Sequence, residues 1–193
     1  MTDPVRILGF AGSTRADSLN KKLVRVALAG AAEAGAATSY LDLADHRMPV
    51  YDGDEEARHG LPEPARQLKR EVLAHDALLI ASPEYNGSLT AVLKNALDWI
   101  SRREDGEGAL AAYDGKVAGL LSASPGGLGG LRGLAHLRQI LSGIHVLVVP
   151  QQYAFARAGD AFAADGRLSD ADQDQAARAI GRAVAETTAK LKA

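Results

Sequence analysis

Short runs of consecutive apolar residues alternate along the chain with longer segments in which apolar residues recur every three or four positions. An unbroken apolar run that ends at glycine or proline is typical of a strand buried on both faces. Recurrence every three or four residues is typical of an amphipathic helix. The runs predict five strands, at residues 5–11, 38–43, 77–81, 117–123 and 145–149, the last of which ends before Pro150.

The segments with helical spacing lie between these strands and after the last one. They cover residues 19–27, 89–100, 131–141 and 177–191. The apolar stripe over 89–100 is wide enough either to be buried within one chain or to pack against a second subunit. Strands that alternate with helices predict an α/β protein whose parallel sheet is covered by helices on both faces, with right-handed crossovers.

The length and composition of the chain indicate one ordinary globular domain. It has no repeat and no low-complexity linker, so we treat residues 1–193 as a single domain. Apolar residues make up 47% and charged residues 24%, and a net charge of −2 indicates neither a nucleic-acid partner nor a membrane surface. The N-terminus lacks the pattern of a signal peptide and no stretch approaches the length of a membrane span, so we expect a cytoplasmic protein.

The chain contains no cysteine, which excludes disulfides, thiolate metal sites and a cysteine nucleophile. Its five histidines show no metal-binding spacing, so no metal site is predicted. These are His46, His59, His75, His136 and His145. Any redox chemistry therefore requires a bound cofactor.

The segment after the first predicted strand has the composition of a phosphate site. In a doubly wound sheet, ligands bind beyond the carboxyl ends of the strands. Residues 12–20 read GSTRADSLN and lead into a helix, whose N-terminus favours an anion. Arg15 adds a cationic donor, and Ser13, Ser18 and Asn20 add neutral ones. The alternative is a solvated Arg15 and a serine that only caps the helix. The loop has neither a Walker A nor a dinucleotide pattern, so a monophosphate fits better than a pyrophosphate.

The segment after the third predicted strand, residues 82–88, reads SPEYNGS and suits a planar ligand. Tyr85 offers a flat face, and Asn86 offers both a donor and an acceptor to a heterocycle with an amide edge, such as a flavin. Pro83 fixes its own φ, and Gly87 permits close approach or a positive φ. The alternative is an ordinary strand-to-helix turn in which the tyrosine packs.

The segment after the fourth predicted strand is rich in glycine. Residues 122–130 read SASPGGLGG, so four of the last five positions expose backbone N–H groups. Such groups can bond the edge of a flavin ring and stabilise its anionic reduced form. A flexible turn is the alternative, and the entropic cost of so many glycines weighs against it.

Three stretches of the chain carry a resemblance to a known family. They are GSTRADSLN (12–20), SPEYNGSLTAVLKNALDWIS (82–101) and GKVAGLLSASPGGLGGLRGLAHLRQ (115–139). In these stretches the sequence resembles the NADPH-dependent FMN reductase family, which includes small quinone and chromate reductases. The resemblance implies a flavodoxin-like three-layer sandwich with a five-stranded parallel sheet of order 2-1-3-4-5.

The resemblance also implies a set of cofactor-binding residues. The first stretch would hold the FMN phosphate, the second would line the ribityl chain and the isoalloxazine, and the third would lie beside the ring. The implied residues are Ser13, Arg15, Ser18, Leu19 and Asn20; Pro83, Glu84, Tyr85, Asn86 and Gly87; and Ser124, Pro125, Gly126 and Gly127. No protein residue is implied as catalytic, because the hydride chemistry takes place at N5 of the flavin.

The activity that the resemblance implies is a ping-pong transfer of electrons from NADPH or NADH, through bound FMN, to a small acceptor. Quinones, free flavin, azo compounds and metal oxyanions are all open as acceptors. A homodimer or a dimer of dimers, with FMN near the subunit interface, is the implied assembly. The alternatives are a non-enzymatic FMN-binding electron shuttle or sensor, and a flavin-free enzyme that acts on a phosphorylated or nucleoside-like substrate.

Two longer connections have no counterpart in the three motifs. Residues 46–64 and 102–113 contain several acids, glycines or prolines, and we expect both to be surface loops. We also expect both to lie near the cofactor ring.

Overall fold

The computed structural model describes residues 3–163 and 165–193. Its strands are β1 (Arg6–Ala11), β2 (Ala37–Leu41), β3 (Ala77–Ala81), β4 (Glu84–Tyr85), β5 (Ser88–Leu89), β6 (Val117–Ala123) and β7 (Leu147–Phe155). Its α-helices are α1 (Leu19–Glu33), α2 (Gly53–His59), α3 (Glu63–Ala74), α4 (Ala91–Ile100), α5 (Leu131–Gly143) and α6 (Ala171–Lys192). No helix in these two ranges is both long and apolar enough to cross a bilayer.

Five of the strands form one parallel sheet in the order β2-β1-β3-β6-β7. The other two, β4 and β5, pair only with each other as a small antiparallel hairpin. Counted without the hairpin, the sheet order is 2-1-3-4-5, which confirms the predicted flavodoxin-like fold. The order reverses beside β1, so the carboxyl ends of β1 and β3 lie at the switch point where such sheets bind ligands.

Helices cover both faces of the sheet, as the unbroken apolar strands require. On one face α1 and α6 bury residues such as Leu23 and Val184 against the sheet. On the other face α3, α4 and α5 bury residues such as Leu68, Leu93 and Leu137. The stripe on α4 faces this second core through Leu93, Ala96, Leu97 and Ile100, while Trp99 is buried in a smaller cluster with Leu61 and Ala65.

Helices α1 and α6 approach each other closely through two glycines. A Cβ atom at Gly181 would stand 1.8 Å from the carbonyl oxygen of Ala27, and one at Gly30 would stand 2.2 Å from that of Arg178. Any side chain at either position would separate the helices, because backbone atoms cannot yield as a flexible side chain can. The two glycines therefore set the spacing of this helical layer.

The prediction that the fifth sheet strand ends before Pro150 is wrong, because β7 continues through the proline to Phe155. Proline is tolerated here because β7 is an edge strand and its pairing with β6 shifts register between Ala118 and Leu120. The Arg138 guanidinium satisfies carbonyls beside the irregularity, including that of Val149 at 2.9 Å. The longer strand carries the following segment to the same edge of the sheet as the other ligand-binding loops.

The connection at 46–64, predicted as a loop, contains helix α2 and the start of α3, and the apolar pattern revealed neither helix. The second strand ends at Leu41 rather than at position 43, and a short 3-10 helix follows it (Leu43–Asp45). Leu89 belongs to the hairpin and not to α4. Residues 102–113 contain no helix or strand, as predicted.

Candidate functional site

The loops that follow β1, β3, β6 and β7 converge on one cleft of about 300 Å³ at the carboxyl edge of the sheet. Ten of the fourteen predicted site residues line this cleft. They are Ser13, Arg15, Ser18, Leu19, Asn20, Pro83, Glu84, Tyr85, Ser124 and Pro125. The other four, Asn86, Gly87, Gly126 and Gly127, lie outside its lining.

Three hydrogen-bonded clamps hold the loops of the cleft in fixed positions. Thr90, the N-cap of α4, donates its hydroxyl to the carbonyl of Gly12 at 2.7 Å, which joins the loops after β1 and β3. The Asn20 amide donates to the carbonyl of Ala123 and accepts from its N–H, both at 2.9 Å, which joins the loops after β1 and β6. The third clamp is Glu84.

Glu84 joins the loop after β3 to the beginning of α5. Its carboxylate accepts the N–H groups of Arg132 at 3.0 Å and Gly133 at 3.1 Å and pairs with the Arg132 guanidinium. Burial by itself raises the pKa of this carboxyl, but these donors outweigh burial and hold the pKa below its ordinary value. Glu84 is therefore an ionised helix cap, and its carboxylate is occupied by the protein rather than directed at a ligand.

The first loop ends at the N-terminus of α1 with donors that face the cleft. Ser18 caps the helix by accepting the Lys21 N–H at 3.4 Å, which leaves its hydroxyl hydrogen available. The N–H groups of Leu19 and Asn20 lie in the first turn, where no intrahelical acceptor exists. Arg15 is exposed beside them and makes no ion pair with any carboxylate in the described ranges. This end of the cleft therefore has the exposed cation and the free helix N–H groups that favour an anion.

The side chain of Asn20, expected as a donor to the phosphate, makes most of its hydrogen bonds within the protein. The amide is buried, and its oxygen and one of its hydrogens are used by Ala123. Only the second amide hydrogen and the backbone N–H remain for a ligand. The main contribution of Asn20 is to fix the position of the glycine-rich loop relative to α1.

Asn86 and Gly87 form the two-residue tip of the β4–β5 hairpin. Their φ values are 52° and 82°, and positive φ at both central residues is the geometry of a type I′ turn. Asn-Gly is the residue pair that this turn favours, which accounts for both residues without a ligand. Tyr85, on the strand before the turn, leaves 55% of its surface exposed at the mouth of the cleft.

The four glycines of the third loop fall into two pairs. A Cβ at Gly130 would stand 1.8 Å from the Ser122 hydroxyl, and one at Gly129 would stand 2.7 Å from the backbone at Phe155, so the fold itself requires both. Among the residues that the structure describes, no atom lies within 4 Å of such a Cβ at Gly127, and only the Ser124 hydroxyl, at 3.4 Å, lies near one at Gly126. Neither Gly126 nor Gly127 has a positive φ. Neither the backbone conformation nor any contact in the described part of the chain requires glycine at these two positions.

Three residues that line the cleft were not predicted: Asp17, Ala123 and Gly159. Asp17 and Ala123 stand inside the motifs, and the sequence signal for them was their position between predicted residues. Gly159 follows β7, and the incorrect end of that strand at Pro150 concealed it. The loop after β6 is hydrogen-bonded to the same segment, since Ala158 donates its N–H to the Ser124 carbonyl at 3.0 Å.

Residues 46–64 and 102–113, both expected near the cofactor ring, do not contribute to the lining of this cleft. The first is held by α4: Trp99 donates its indole N–H to the Pro49 carbonyl at 2.9 Å, and Asn95 accepts the Tyr51 N–H at 2.8 Å. The second is held by α3, where the buried ammonium of Lys69 donates to the Arg102 carbonyl at 2.7 Å and pairs with Glu107. The stretch KNALDW of the second motif thus anchors a neighbouring segment.

Comparison with known proteins agrees with this geometry. Residues 5–160 match the model of the family described as NADPH-dependent FMN reductase. An NAD(P)H-dependent FMN reductase of Pseudomonas aeruginosa is 37% identical over 172 residues, which cover 88% of each chain. An NAD(P)H:quinone oxidoreductase of Solanum tuberosum is 32% identical over 193 residues, which cover 97% of this chain and 95% of that one.

Solved structures give the same result. A flavoenzyme NAD(P)H:(acceptor) oxidoreductase from Paracoccus denitrificans superposes with a TM-score of 0.80 at 29% identity, over 96% of this chain and 98% of that one. An archaeal flavodoxin, at a TM-score of 0.62 and 9% identity over 96% of this chain and 99% of that one, shares the fold alone. The chain therefore belongs to the NADPH-dependent FMN reductase family, a family of flavin-dependent oxidoreductases.

Proposed function

We propose that the cleft binds FMN, with its phosphate at the N-terminus of α1 and its ring between Pro83–Tyr85 and the loop at 124–127. The observation that carries this proposal is the union of two kinds of surface in one cleft. One end offers helix N–H groups and the exposed guanidinium of Arg15, which suit a phosphate. The other end offers an exposed tyrosine, and the lining residue Pro125 is followed directly by two glycines that leave room for a planar group.

The protein's own part in the reaction is binding and positioning. When bound, FMN supplies the ability to accept a hydride equivalent from NAD(P)H and to deliver electrons to an acceptor. Arg15 and the first turn of α1 neutralise the phosphate and fix one end of the cofactor. The clamps at Thr90, Asn20 and Glu84 hold the loops at a constant separation, so that little ordering is left to occur on binding.

The loop at Gly126 and Gly127 is suited to stabilise the reduced form of the flavin. Arg157 holds the Gly126 carbonyl by donating its N–H at 3.1 Å, which fixes the loop. The N–H of Gly127 donates to no acceptor in the part of the chain that the structure describes. A backbone N–H beside the ring is suited to stabilise the negative charge that reduction places on a flavin.

We further propose that NAD(P)H and the acceptor bind in turn at the open mouth of the cleft beside Tyr85, in a ping-pong cycle. The relatives named as quinone reductases, including that of Escherichia coli at 32% identity over 149 residues, favour a quinone as the acceptor. A flat, apolar acceptor suits the exposed ring of Tyr85. The other acceptor classes, free flavin, azo compounds and metal oxyanions, are comparison substrates for the test.

The test is an anaerobic visible spectrum of the purified protein with FMN, recorded before and after addition of NADPH without an acceptor. We expect bound-flavin absorption that bleaches quickly and returns on addition of a quinone. Initial rates at several quinone concentrations then give parallel double-reciprocal lines. Bound flavin that NADPH does not bleach would indicate an electron shuttle or a sensor, and failure to bind FMN would contradict the proposed site.

We also propose assembly as a homodimer or a dimer of dimers. Three large apolar side chains are exposed on the β4–β5 hairpin and around the beginning of α5, close to the cleft. They are Tyr85, Leu128 and Leu131, with 55%, 55% and 48% of their surfaces exposed. Light scattering coupled to size-exclusion chromatography measures the mass directly, and a monomer at all concentrations would contradict this proposal.

A further inference from the structure

The phosphate end of the cleft contains an acidic residue, which is unexpected in a site for an anion. Asp17 lines the cleft between Arg15 and the helix cap, and its side chain is 81% exposed. Its carboxylate pairs with Lys22, whose ammonium lies 2.5 Å from Oδ1. The same ammonium lies 5.9 Å from the centre of the Phe162 ring, so Lys22 is held between the first loop and the segment after β7.

The ion pair of Asp17 with Lys22 determines whether Arg15 is available to a ligand. The hydrogen bond from Lys22 and its positive charge, with a smaller effect of Arg15, hold the pKa of the Asp17 carboxyl below its ordinary value. The carboxylate is therefore ionised and within electrostatic reach of Arg15, yet its ion pair is with Lys22. Because Lys22 occupies Asp17, Arg15 stays available to a ligand.

A purely structural role accounts poorly for this ion pair. Asp17 is not the cap of α1, because Ser18 accepts the Lys21 N–H. Ion pairs as exposed as this one contribute little to stability. A phosphate, in contrast, carries about two negative charges at neutral pH, so an unpaired carboxylate nearby would weaken its binding strongly.

We propose that Lys22 sets the preference of the cleft for FMN over riboflavin, by cancelling the charge of Asp17 and keeping that carboxylate from pairing with Arg15. The inference rests on the proposed FMN site and deepens it. Lys22 is a positioning residue here, since it acts on the phosphate through Asp17 and Arg15. Loss of Lys22 frees Asp17, which then both repels the phosphate and competes with it for the guanidinium.

The test compares two flavins that differ only in the phosphate. FMN and riboflavin are each titrated into the flavin-free protein at low ionic strength, with quenching of flavin fluorescence as the signal. We expect Lys22→Met to weaken FMN binding about fivefold or more and to leave riboflavin binding unchanged. Arg15→Ala lowers FMN affinity further and also spares riboflavin. In about 1 M salt the effect of Lys22→Met shrinks, because the charges are screened.

The double variant isolates the role of Asp17. Adding Asp17→Asn to Lys22→Met removes the freed carboxylate, and we expect FMN affinity to return to that of the wild type. The matched control is Lys190→Met, on the exposed last turn of α6. It makes the same change in net charge far from the cleft and leaves both affinities unchanged.

The outcomes separate this inference from the function on which it rests. If the wild type binds FMN and Lys22→Met binds it equally well, or weakens riboflavin to the same degree, the role of Lys22 is contradicted while the FMN site stands. If the double variant binds FMN no better than Lys22→Met, Asp17 is not the route of the effect. If the wild type binds neither flavin, the proposed function fails and this inference fails with it.

Discussion

Two regions of the molecule have similar compositions in the sequence but differ in how far their polar groups are paired within the structure. The cleft loops after β1, β3 and β6, and the segments at 46–64 and 102–113, are all irregular stretches rich in glycine, proline and charge. In the second region charged groups are paired within the chain: Lys69 with Glu107, Arg66 with Glu104, and Arg102 with Glu56. At the α1 end of the cleft, Arg15 has no ion-pair partner and the N–H groups of Leu19 and Asn20 have no acceptor within the part of the chain described, and the N–H of Gly127 in the adjoining loop has none there either.

The difference separates residues that serve the fold from residues that await a ligand. Around Trp99 the indole packs edge-on against Tyr51 with ring centres 5.0 Å apart, and the Tyr51 hydroxyl reaches Glu56 at 2.8 Å. The Arg102 hydrogen bond keeps the pKa of the Glu56 carboxyl below its ordinary value, so this cluster is ionised and internally complete. Unsatisfied donors that are fixed in position, as at the cleft, are the better indicator of function.

The largest expected effect is a loss of stability when the packing around Trp99, which holds the segment at 46–64, is removed. Trp99 is 1% exposed, and Trp99→Ala removes its packing and its bond to Pro49. We expect a loss of about 4 kcal/mol in the free energy of unfolding. Trp99 is the only tryptophan in the chain, so urea unfolding is followed by circular dichroism. The FMN dissociation constant of the folded protein should stay as in the wild type.

Trp99→Phe is the milder companion variant. It keeps most of the apolar volume and loses the indole N–H, and we expect a loss of about 1–2 kcal/mol. It provides a folded protein for the FMN titration even where the alanine variant unfolds. If FMN affinity falls in proportion to stability, the conclusion that the region around Trp99 serves only the fold is contradicted.

The next effect comes from the two kinds of glycine in the third loop. Gly130 has φ of 88° and no room for a Cβ, so Gly130→Ala is expected to cost about 2 kcal/mol in stability. Gly127→Ala places a methyl group in open space, and we expect a change within about 0.5 kcal/mol. The methyl group lies where the ring is proposed to approach, so FMN affinity falls in this variant. Urea and FMN titrations of both variants measure their stability and their FMN affinity. Equal losses of stability in the two variants would contradict the distinction between glycines that the fold requires and glycines that leave room for the ring.

The sheet and most of the site were predictable because their signals are local. Unbroken apolar runs locate the buried strands, and loops after consecutive parallel strands must meet at one edge. That logic located the loops, and the family resemblance implied the individual residues, ten of which line the cleft. Gly159 was missed because Pro150 is an interruption in most strands, and its tolerance here depends on an edge position and on Arg138 from a distant helix.

The roles within the site were harder to predict than its position. Asn86 and Gly87 look like ligand contacts in a motif, yet a two-residue hairpin between short strands uses them as its turn. Asn20 and Glu84 look like free polar groups, and their partners, Ala123 and the first turn of α5, lie 103 and 48–49 residues away. Such pairings depend on tertiary structure, so no periodicity reveals them.

The smallest expected effect concerns Glu84, which lines the cleft and yet is satisfied by the protein. Its pKa is lowered in the folded state, so its ionised form stabilises the protein above the unfolded pKa of about 4.3. That contribution is lost as the pH falls through the lower folded pKa. Glu84→Gln removes the charge and is expected to cost about 1 kcal/mol at pH 7, since it weakens the cap of α5 and the pairing with Arg132.

The measurement is the difference in unfolding free energy between the wild type and Glu84→Gln, from urea titrations between pH 7 and about pH 3. Other carboxyl groups titrate in both proteins and cancel in the difference, so the gap should narrow only below about pH 4.3. A gap that stays constant with pH would show that Glu84 acts through packing alone. FMN affinity at pH 7 should change less in Glu84→Gln than in Arg15→Ala, because the Glu84 carboxylate faces α5 and not the phosphate. A larger change would show that Glu84 contributes directly to binding of the ligand.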